Sequence, residues 1–557
     1  MFSLRFFPDA ARRMLFLCLA AASAGFSPSF LSAQDGASSG FPRAQMLGLR
    51  TQGMEWQWLR RIQNGENPPT AVQTVSAAEA AFYGFTPETP DLEGRKVFLL
   101  PELRVQPFFT AWNGLDTARG SKDFALRRRL ALDEEILAAG ISFGSASFFG
   151  HIQFDLTADE LVRKAGSSGS LGFWQPLEYG KWMTFPREGY ISWAGSHLSV
   201  AAGRFPTGIG MGEENLILNG SAFWYDNVQL SWWSEKFKFF TMLGSSSSQL
   251  STAEWEVQKK DWDNINNHDA ATGADGSEGV TIPLKLFTYH RFEWKPFRRF
   301  GLGITEMQLI GGKAPDLFNL LPMSVWHNAY SAAVTNVMFQ VDLWALPVDG
   351  LLVYGEFLLD DVQSFVESGA SKPNCLAWEL GALYTLPLDV PGWLFFISGE
   401  YTHAGQWTYT RWQPYLTMYQ RQIASGGHSG LDTPLGHSEG GDVDTAGISF
   451  GAVTEAGGRI EFGYKYIRKG PVYLNEILNG DPLYYDYAEY DSTGALAAAL
   501  NRPDKKSHCF LLEAVWPFAG HFEAAASLDL RWVQDTGHRA GENAWETIVK
   551  TGVLWHW

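Results

Sequence analysis

The stretch Leu284 to Gly311 carries the densest set of groups that could do chemistry. If Arg298-Arg299 is a two-residue turn, Phe297 faces Phe300 and Arg291 faces Glu306 across a hairpin. Period-two parity then puts Tyr289, Arg291, Glu293, Lys295, Glu306 and Gln308 on one face. An Arg–Glu pair on a water-facing strand pair can brace the wall, worth up to about 1 kcal/mol. It can also set a field that biases which solutes pass. The same parity adds Asp342, Glu356, Asp360 and Asp529 to the polar face, with Arg459, Lys465 and Arg531 available to balance them. An acidic lining favours cations or hydroxyl-rich ligands. His290 falls on the opposite, apolar face, which calls for an interface position or a bulge.

A second set lies in polar connecting segments. Trp262 stands among Asp263, Asn264, Asn266 and Asn267. Trp407, Tyr409, Trp412 and Tyr415 open another segment, and Tyr484, Tyr485 and Tyr487 lie in a third. Aromatic faces beside amides and carboxylates suit sugar rings, which makes Trp262, Trp407, Trp412, Tyr415 and Tyr485 ligand candidates. The same rings could instead extend an interfacial girdle or pack the loops together.

Other chemistries find no support. Asp261-Trp262-Asp263 begins like a Ca²⁺ loop, but Ile265 takes the next ligand position. Gly208, Gly210 and Gly212 lack the strand-to-helix context and the Lys of a phosphate loop. No Ser/His/Asp order stands out. The expectation is a protein that is not an enzyme, with no catalytic residues, no metal and no cofactor. The net charge of −17, or −19 once Arg5, Arg12, Arg13 and Asp9 leave with an export signal, argues against nucleic acid as a partner.

The elements that must position these groups read as strands. Residues 1–33 form an export signal: a basic start, the apolar run Met14 to Ala22, then small residues around Ala22-Ser23-Ala24 and Ser32-Ala33. Cys18 sits inside the apolar run, leaving Cys375 and Cys509 with no CxxC and no His cluster. Residues 34–95 read as a short periplasmic helical leader, Ala44 to Gln63 and Ala71 to Tyr83, broken at Asn64 to Thr70. From residue 96 to 557 the dominant period is two. In Val334 to Ala345, Thr335, Val337, Phe339, Val341, Leu343 and Ala345 form an apolar face against Asn336, Met338, Gln340, Asp342 and Trp344. No segment has the apolar length of a transmembrane helix.

Short turns alternate with long polar loops along the chain, and Trp232, Trp233, Phe297, Trp344, Trp393 and Trp516 flank the turns. That asymmetry, with aromatic content of 15% and charged content of 18%, predicts a transmembrane antiparallel β-barrel. The count is about 18 strands, with sixteen as the alternative and the first three least certain because 127–139 could be helical. Turns lie in the periplasm and loops outside a bacterial outer membrane. Trp545, Val549, Val553, Trp555 and Trp557 make an alternating apolar series that ends on an aromatic and resembles the signal that the barrel-assembly machinery reads in a closing strand. Outer-membrane lipid and that machinery are the expected partners.

Residues 200–330 resemble the capsule assembly Wzi family. The resemblance rests on Gly203-Arg204 with Gly208, Gly210, Leu216 and Leu218, on His290-Arg291-Phe292-Glu293 with Gly303, Glu306 and Gly311, and on Leu320-Leu321-Pro322 with His327. It implies an 18-stranded barrel with small periplasmic helices that acts as a surface lectin, retaining capsular polysaccharide. The residues alone leave a second reading open, a general diffusion porin with an acidic lumen.

Overall fold

A computed structural model describes residues 42–556 apart from 88–96, 116–134, 158–168, 173–181, 259–282, 330–334, 362–372, 425–428 and 485–492 and the single residues 221, 223, 313 and 479. The export signal, Trp262, Tyr485, Tyr487 and Trp557 lie outside the described residues. No described helix is long and apolar enough to cross a membrane.

Eighteen strands close into one antiparallel barrel. The first, β1, is broken at Gln106-Pro107 into Phe98–Val105 and Phe108–Asn113, where proline removes a ladder donor. The rest are β2 (Glu135–Gly144), β3 (Phe148–Thr157), β4 (Trp182–Ala194), β5 (Leu198–Phe205), β6 (Tyr225–Trp233), β7 (Phe237–Ser246), β8 (Lys285–Phe297) and β9 (Phe300–Gly311). They continue as β10 (Thr335–Val348), β11 (Leu351–Asp361), β12 (Cys375–Leu386), β13 (Trp393–Ala404), β14 (Val443–Thr454), β15 (Arg459–Lys469), β16 (Lys505–Ala519), β17 (Phe522–Gln534) and β18 (Ala544–His556). Strand β18 seals the sheet against both halves of β1, through Trp555 opposite Val105 and Val549 opposite Ala111. The short strand Gly169–Gly172 pairs with the second half of β1. Closing the sheet pairs its first and last strands, the condition for a sheet to stand in lipid.

Parity follows the sequence. Phe292, Ile304, Leu343, Leu380, Ile448 and Phe462 are exposed on the outer face. The aromatic series before the C-terminus lies outward too, with Trp545 opposite Trp532 and Trp555 opposite Phe522. Trp232, Phe297 and Trp516 are exposed near the turns, and the Trp393 and Trp516 rings meet at a tilt with centroids 5.7 Å apart. Trp233 and Trp344 depart from the expected girdle. Both are fully buried on the inner face, and the Trp344 indole donates to the Pro68 carbonyl at 2.9 Å. Even spacing from a turn does not decide which ring faces inward; pleat parity does.

One register differs from expectation. Phe297 pairs with Phe300, but a bulge between Trp294 and Phe297 shifts everything above it by one residue. Arg291 therefore faces Thr305, and His290 faces Glu306.

The leader does not stand apart as a helical segment. It enters the turn end of the barrel as helix α1 (Gln52–Gln63), helix α2 (Ala77–Phe82) and two short paired strands, Met46–Gly48 and Thr74–Ser76. The Ser76 hydroxyl caps α2 by accepting from the Glu79 amide. Val72, Thr74 and Val75 make the second segment partly strand, in keeping with their β-branching. Gly350 donates to the Ile62 carbonyl at 2.9 Å, and Arg43 donates from its amide to the Ala146 carbonyl at 2.9 Å, so α1 and its flanks rest on the turns.

From the other end, the β5–β6 loop (206–224) folds down into the lumen. It meets the leader at mid-barrel, where Val72 bridges to Ile209 and Ile209 to Leu218. Val72, Ile209, Leu216, Ile217 and Leu218 form one buried apolar cluster with the wall residues Phe287, Tyr289, Met307, Met338 and Leu358. A lumen lined this way is a packed core over the side spanned by β6–β15. The amide of Gln73 donates to Gly208 and that of Gly210 to Ala71, both at 2.9 Å, which leaves Val72 and Ile209 a non-hydrogen-bonded pair with close Cα atoms. The double variant Val72→Cys/Ile209→Cys is expected to form a disulfide spontaneously. Proteolysis and non-reducing mass spectrometry read the cross-link. Its absence in folded protein would refute the meeting of leader and loop.

Candidate functional site

The charged wall residues converge on the inserted chain. Arg291 is fully buried among Glu293, at 2.7 Å, and both oxygens of Asp342, at 2.6 and 2.7 Å, and donates to the Thr305 hydroxyl at 2.8 Å. Glu293 also accepts the amide of Ala71 in the leader at 3.1 Å. Glu356 accepts the Leu216 amide at 3.1 Å. Asp360 accepts the Tyr409 amide at 2.6 Å and binds Arg411 at 3.2 Å. Glu400 accepts the amides of Glu213 and Glu214 at 2.8 and 3.2 Å. Wall lysines do the converse: Lys285 donates to the carbonyls of Pro414 and Thr417, and Lys469 to those of Gly441 and Val472. A chain folded into a lumen must satisfy its backbone groups, and the wall charges meet that need while losing their own isolation.

Arg291, Asp342, Glu356 and Asp360 are thus in the lumen as parity requires, and Asp529 pairs there with Arg531 at 2.8 Å. Arg459 turns to Glu55 of the leader and to Glu461, and Lys465 to Glu213 and Glu214 of the folded loop. Glu306 is a correction. The bulge and the pleat place it on the outer face with His290, at 2.9 Å, beneath the β9–β10 loop.

The glycines of 208–212 have a steric cause. Gly210 has a φ of 141°, and a Cβ there would strike Asn215 and Glu356. A Cβ on Gly212 would strike Glu379 and Glu400. The loop passes too close to the carboxylate wall for side chains.

Above the lumen the loops form one body. The β13–β14 loop holds a hairpin, Tyr419–Ala424 with Ser429–Pro434. Arg421 of that hairpin joins Asp432, at 2.5 Å, to Glu254 of the β7–β8 loop, at 2.9 Å. The β15–β16 loop adds Val472, Leu483, Leu496 and Ala499 as a small apolar cluster with Trp407 against it. Trp412 lies 5.6 Å from Tyr484. Trp407 and Trp412 keep part of their surface exposed, whereas Tyr415 is buried and donates to the Ser248 carbonyl at 2.9 Å. Tyr415 is therefore a packing ring with no face free for a sugar. A cavity of about 180 Å³ lies between α1 and the β11–β16 wall, with Arg50, Trp58, Tyr354, Glu400 and Lys465 among its lining.

The residues that organise this body were only partly legible. Glu293, Asp342, Glu356 and Asp360 follow from parity. Glu400, Arg411, Glu214 and Arg421 do not: Glu400 and Glu214 meet across 186 residues, Arg411 and Asp360 across 51, and Arg421 and Glu254 across 167, with one partner of each pair in a loop without periodicity.

A closed barrel of outer-membrane type, with the β6–β15 side of its lumen occupied by its own leader and loops, is what these features define. No protein-family model matches the sequence, and curated proteins give no match. Among solved structures the chain is similar to Wzi, an outer membrane protein involved in group 1 capsule assembly in Escherichia coli and described as a carbohydrate-binding β-barrel. The match has 13% identity, covers 93% of this chain and 99% of that one, and has a TM-score of 0.54. Acinetobacter baumannii OccAB4 matches at 8% identity over 83% of this chain and 99% of that one, TM-score 0.41. Pseudomonas aeruginosa OprD matches at 9% identity over 82% and 95%, TM-score 0.39. The Wzi-like fold thus extends well beyond the residues that carried the resemblance in sequence.

Two outcomes follow from the ion pairs. Arg291→Met leaves Glu293 and Asp342 buried without their cation, and is expected to cost about 3–5 kcal/mol. A lowered urea midpoint of the detergent-folded barrel reads it, with partial recovery in Arg291→Met/Asp342→Asn. Glu254 is held below the usual carboxylate range: burial opposes its charge, but the Arg421 guanidinium and the Ser251 amide and hydroxyl outweigh that. A depressed folded pKa gives stability that is full above the unfolded value near ~4.3 and lost as pH falls through the folded value. Limited proteolysis should find the 252–258 helix protected at neutral pH and cleaved only once the pH falls below the ordinary carboxylate range.

Proposed function

We propose that this protein resides in a bacterial outer membrane and binds or retains surface polysaccharide on its extracellular loops, without catalysing a reaction. The observation that carries the reading is the packed side of the lumen: along β6–β15, wall carboxylates that would line a conducting pore accept backbone amides of the leader, the 206–224 loop and the β13–β14 loop. The loop body above that core is fixed by Arg421, Glu254 and Asp432 and bears the part-exposed Trp407 and Trp412. Partly exposed indoles beside amide and carboxylate groups suit the apolar face and hydroxyl rim of a sugar ring. The similarity to a barrel described as carbohydrate-binding points the same way. Orientation follows from loop length, with the turns and leader in the periplasm.

Purified protein in detergent, presented with capsular or other surface polysaccharide from its own bacterium, should retain it in a pull-down. Trp407→Ala and Trp412→Ala should each lower affinity about tenfold, or about 1.4 kcal/mol. Absence of binding to every surface glycan counts against the proposal. Stable stepwise conductance in a planar bilayer overturns it in favour of a diffusion channel.

A further inference from the structure

The β9–β10 loop folds outward, over the outer wall instead of into the lumen. Residues 314–329 hold a short helix, Leu317–Leu320, and a 3-10 turn, Trp326–Ala329. A reciprocal cap fixes the helix: the Asp316 amide donates to the Asn319 side chain at 3.1 Å, and the Asp316 side chain accepts from the Asn319 amide. The amides of Trp326 and His327 donate to the two oxygens of Glu306 at 3.0 and 2.8 Å. The Trp326 ring is buried against the His290 imidazole with centroids 4.2 Å apart. Thr288, Gln308, Thr335 and Val337, all outward by parity, are buried under the same loop.

Seven residues separate His290 from Phe297 at the turn. At ~3.3 Å per residue and a tilt near 40°, that is about 18 Å along the barrel axis, inside the ~25 Å apolar band of such barrels. A bare His–Glu pair at that height would face hydrocarbon, at a cost of several kcal/mol per unsatisfied polar group. The loop removes that exposure, and what it presents in exchange is apolar. Leu317 is 74% exposed, Met323 79% and Val325 57%, with Phe318 and Leu321 exposed beside them. Below the loop, on the same strands, Phe292, Ile304, Phe339 and Leu343 continue the exposed apolar surface.

We infer that residues 314–329 form a latch seated in the outer leaflet, its apolar side chains in contact with lipid acyl chains and its Trp326–His327 amides locked on Glu306. The inference rests on the outer-membrane reading but is independent of any polysaccharide. It converts a polar patch on the wall into lipid-facing surface, and it anchors the β9–β10 corner of the loop body at a set depth.

Full-length mature protein in phosphatidylcholine–phosphatidylglycerol vesicles tests it. Nitroxide labels are placed at Leu317→Cys and Met323→Cys, with Ile304→Cys on the bare wall as reference; Cys375 and Cys509 are buried and stay unlabelled. Labels at 317 and 323 should relax faster with oxygen than with a water-soluble nickel chelate, as at 304. Preference for the chelate at 317 and 323, with oxygen preferred at 304, overturns the latch. Shielding from both reagents with dipolar broadening overturns it in favour of a second copy as the occupant. Chelate preference at 304 as well would overturn the outer-membrane reading itself. Glu306→Gln should raise label mobility at 323 several-fold while leaving 304 unchanged; an unchanged 323 spectrum also overturns the latch.

Discussion

A buried carboxylate needs donors, and a chain that enters a lumen needs acceptors for its amides. Much of this structure depends on those two needs being met by each other. Glu293 takes Ala71, Glu356 takes Leu216, Asp360 takes Tyr409, and Glu400 takes Glu213 and Glu214. Lys285 and Lys469 serve the carbonyls in the same way. An isolated charge in such surroundings would cost several kcal/mol, and so would an orphaned amide. Together they fix where each inserted segment lies against the wall.

The pairing principle also operates outside the barrel. Glu306 accepts two amides from a loop that has turned outward, and His290 completes the set. Inner and outer faces thus use one device for different ends. Inside, it builds a core from apolar residues such as Val72, Ile209 and Leu218. Outside, it hides a polar patch beneath Trp326 and replaces it with Leu317, Met323 and Val325. The loop body between them is continuous with the lumen packing, since Tyr409 hydrogen-bonds Leu216 and Asn219 hydrogen-bonds Leu435. A ligand site on those loops would stand on a rigid base.

Much of the frame was legible because a strand writes its two faces into alternate residues. Eighteen strands, the short turns and the outward C-terminal series all come from that period, which local chain geometry enforces. The bulge at Lys295-Pro296 was not legible as a register shift, and its one-residue slip moved Arg291 away from Glu306. Proximity to a turn suggests a girdle for Trp233 and Trp344, whereas pleat parity sends both inward, as the alternation over Val334 to Ala345 already places Trp344.

By itself the sequence determined the closed sheet, its lipid-facing belt and the inward direction of Asp342, Glu356 and Asp360. Tertiary structure alone decided what those carboxylates are for. Glu356 and Asp360 take amides from residues 216 and 409, in segments with no period and far along the chain, while Asp342 takes the Arg291 guanidinium. Periodicity reports the environment of each residue one strand at a time. Filling a lumen is a property of all the strands closed around it, and no local pattern records that.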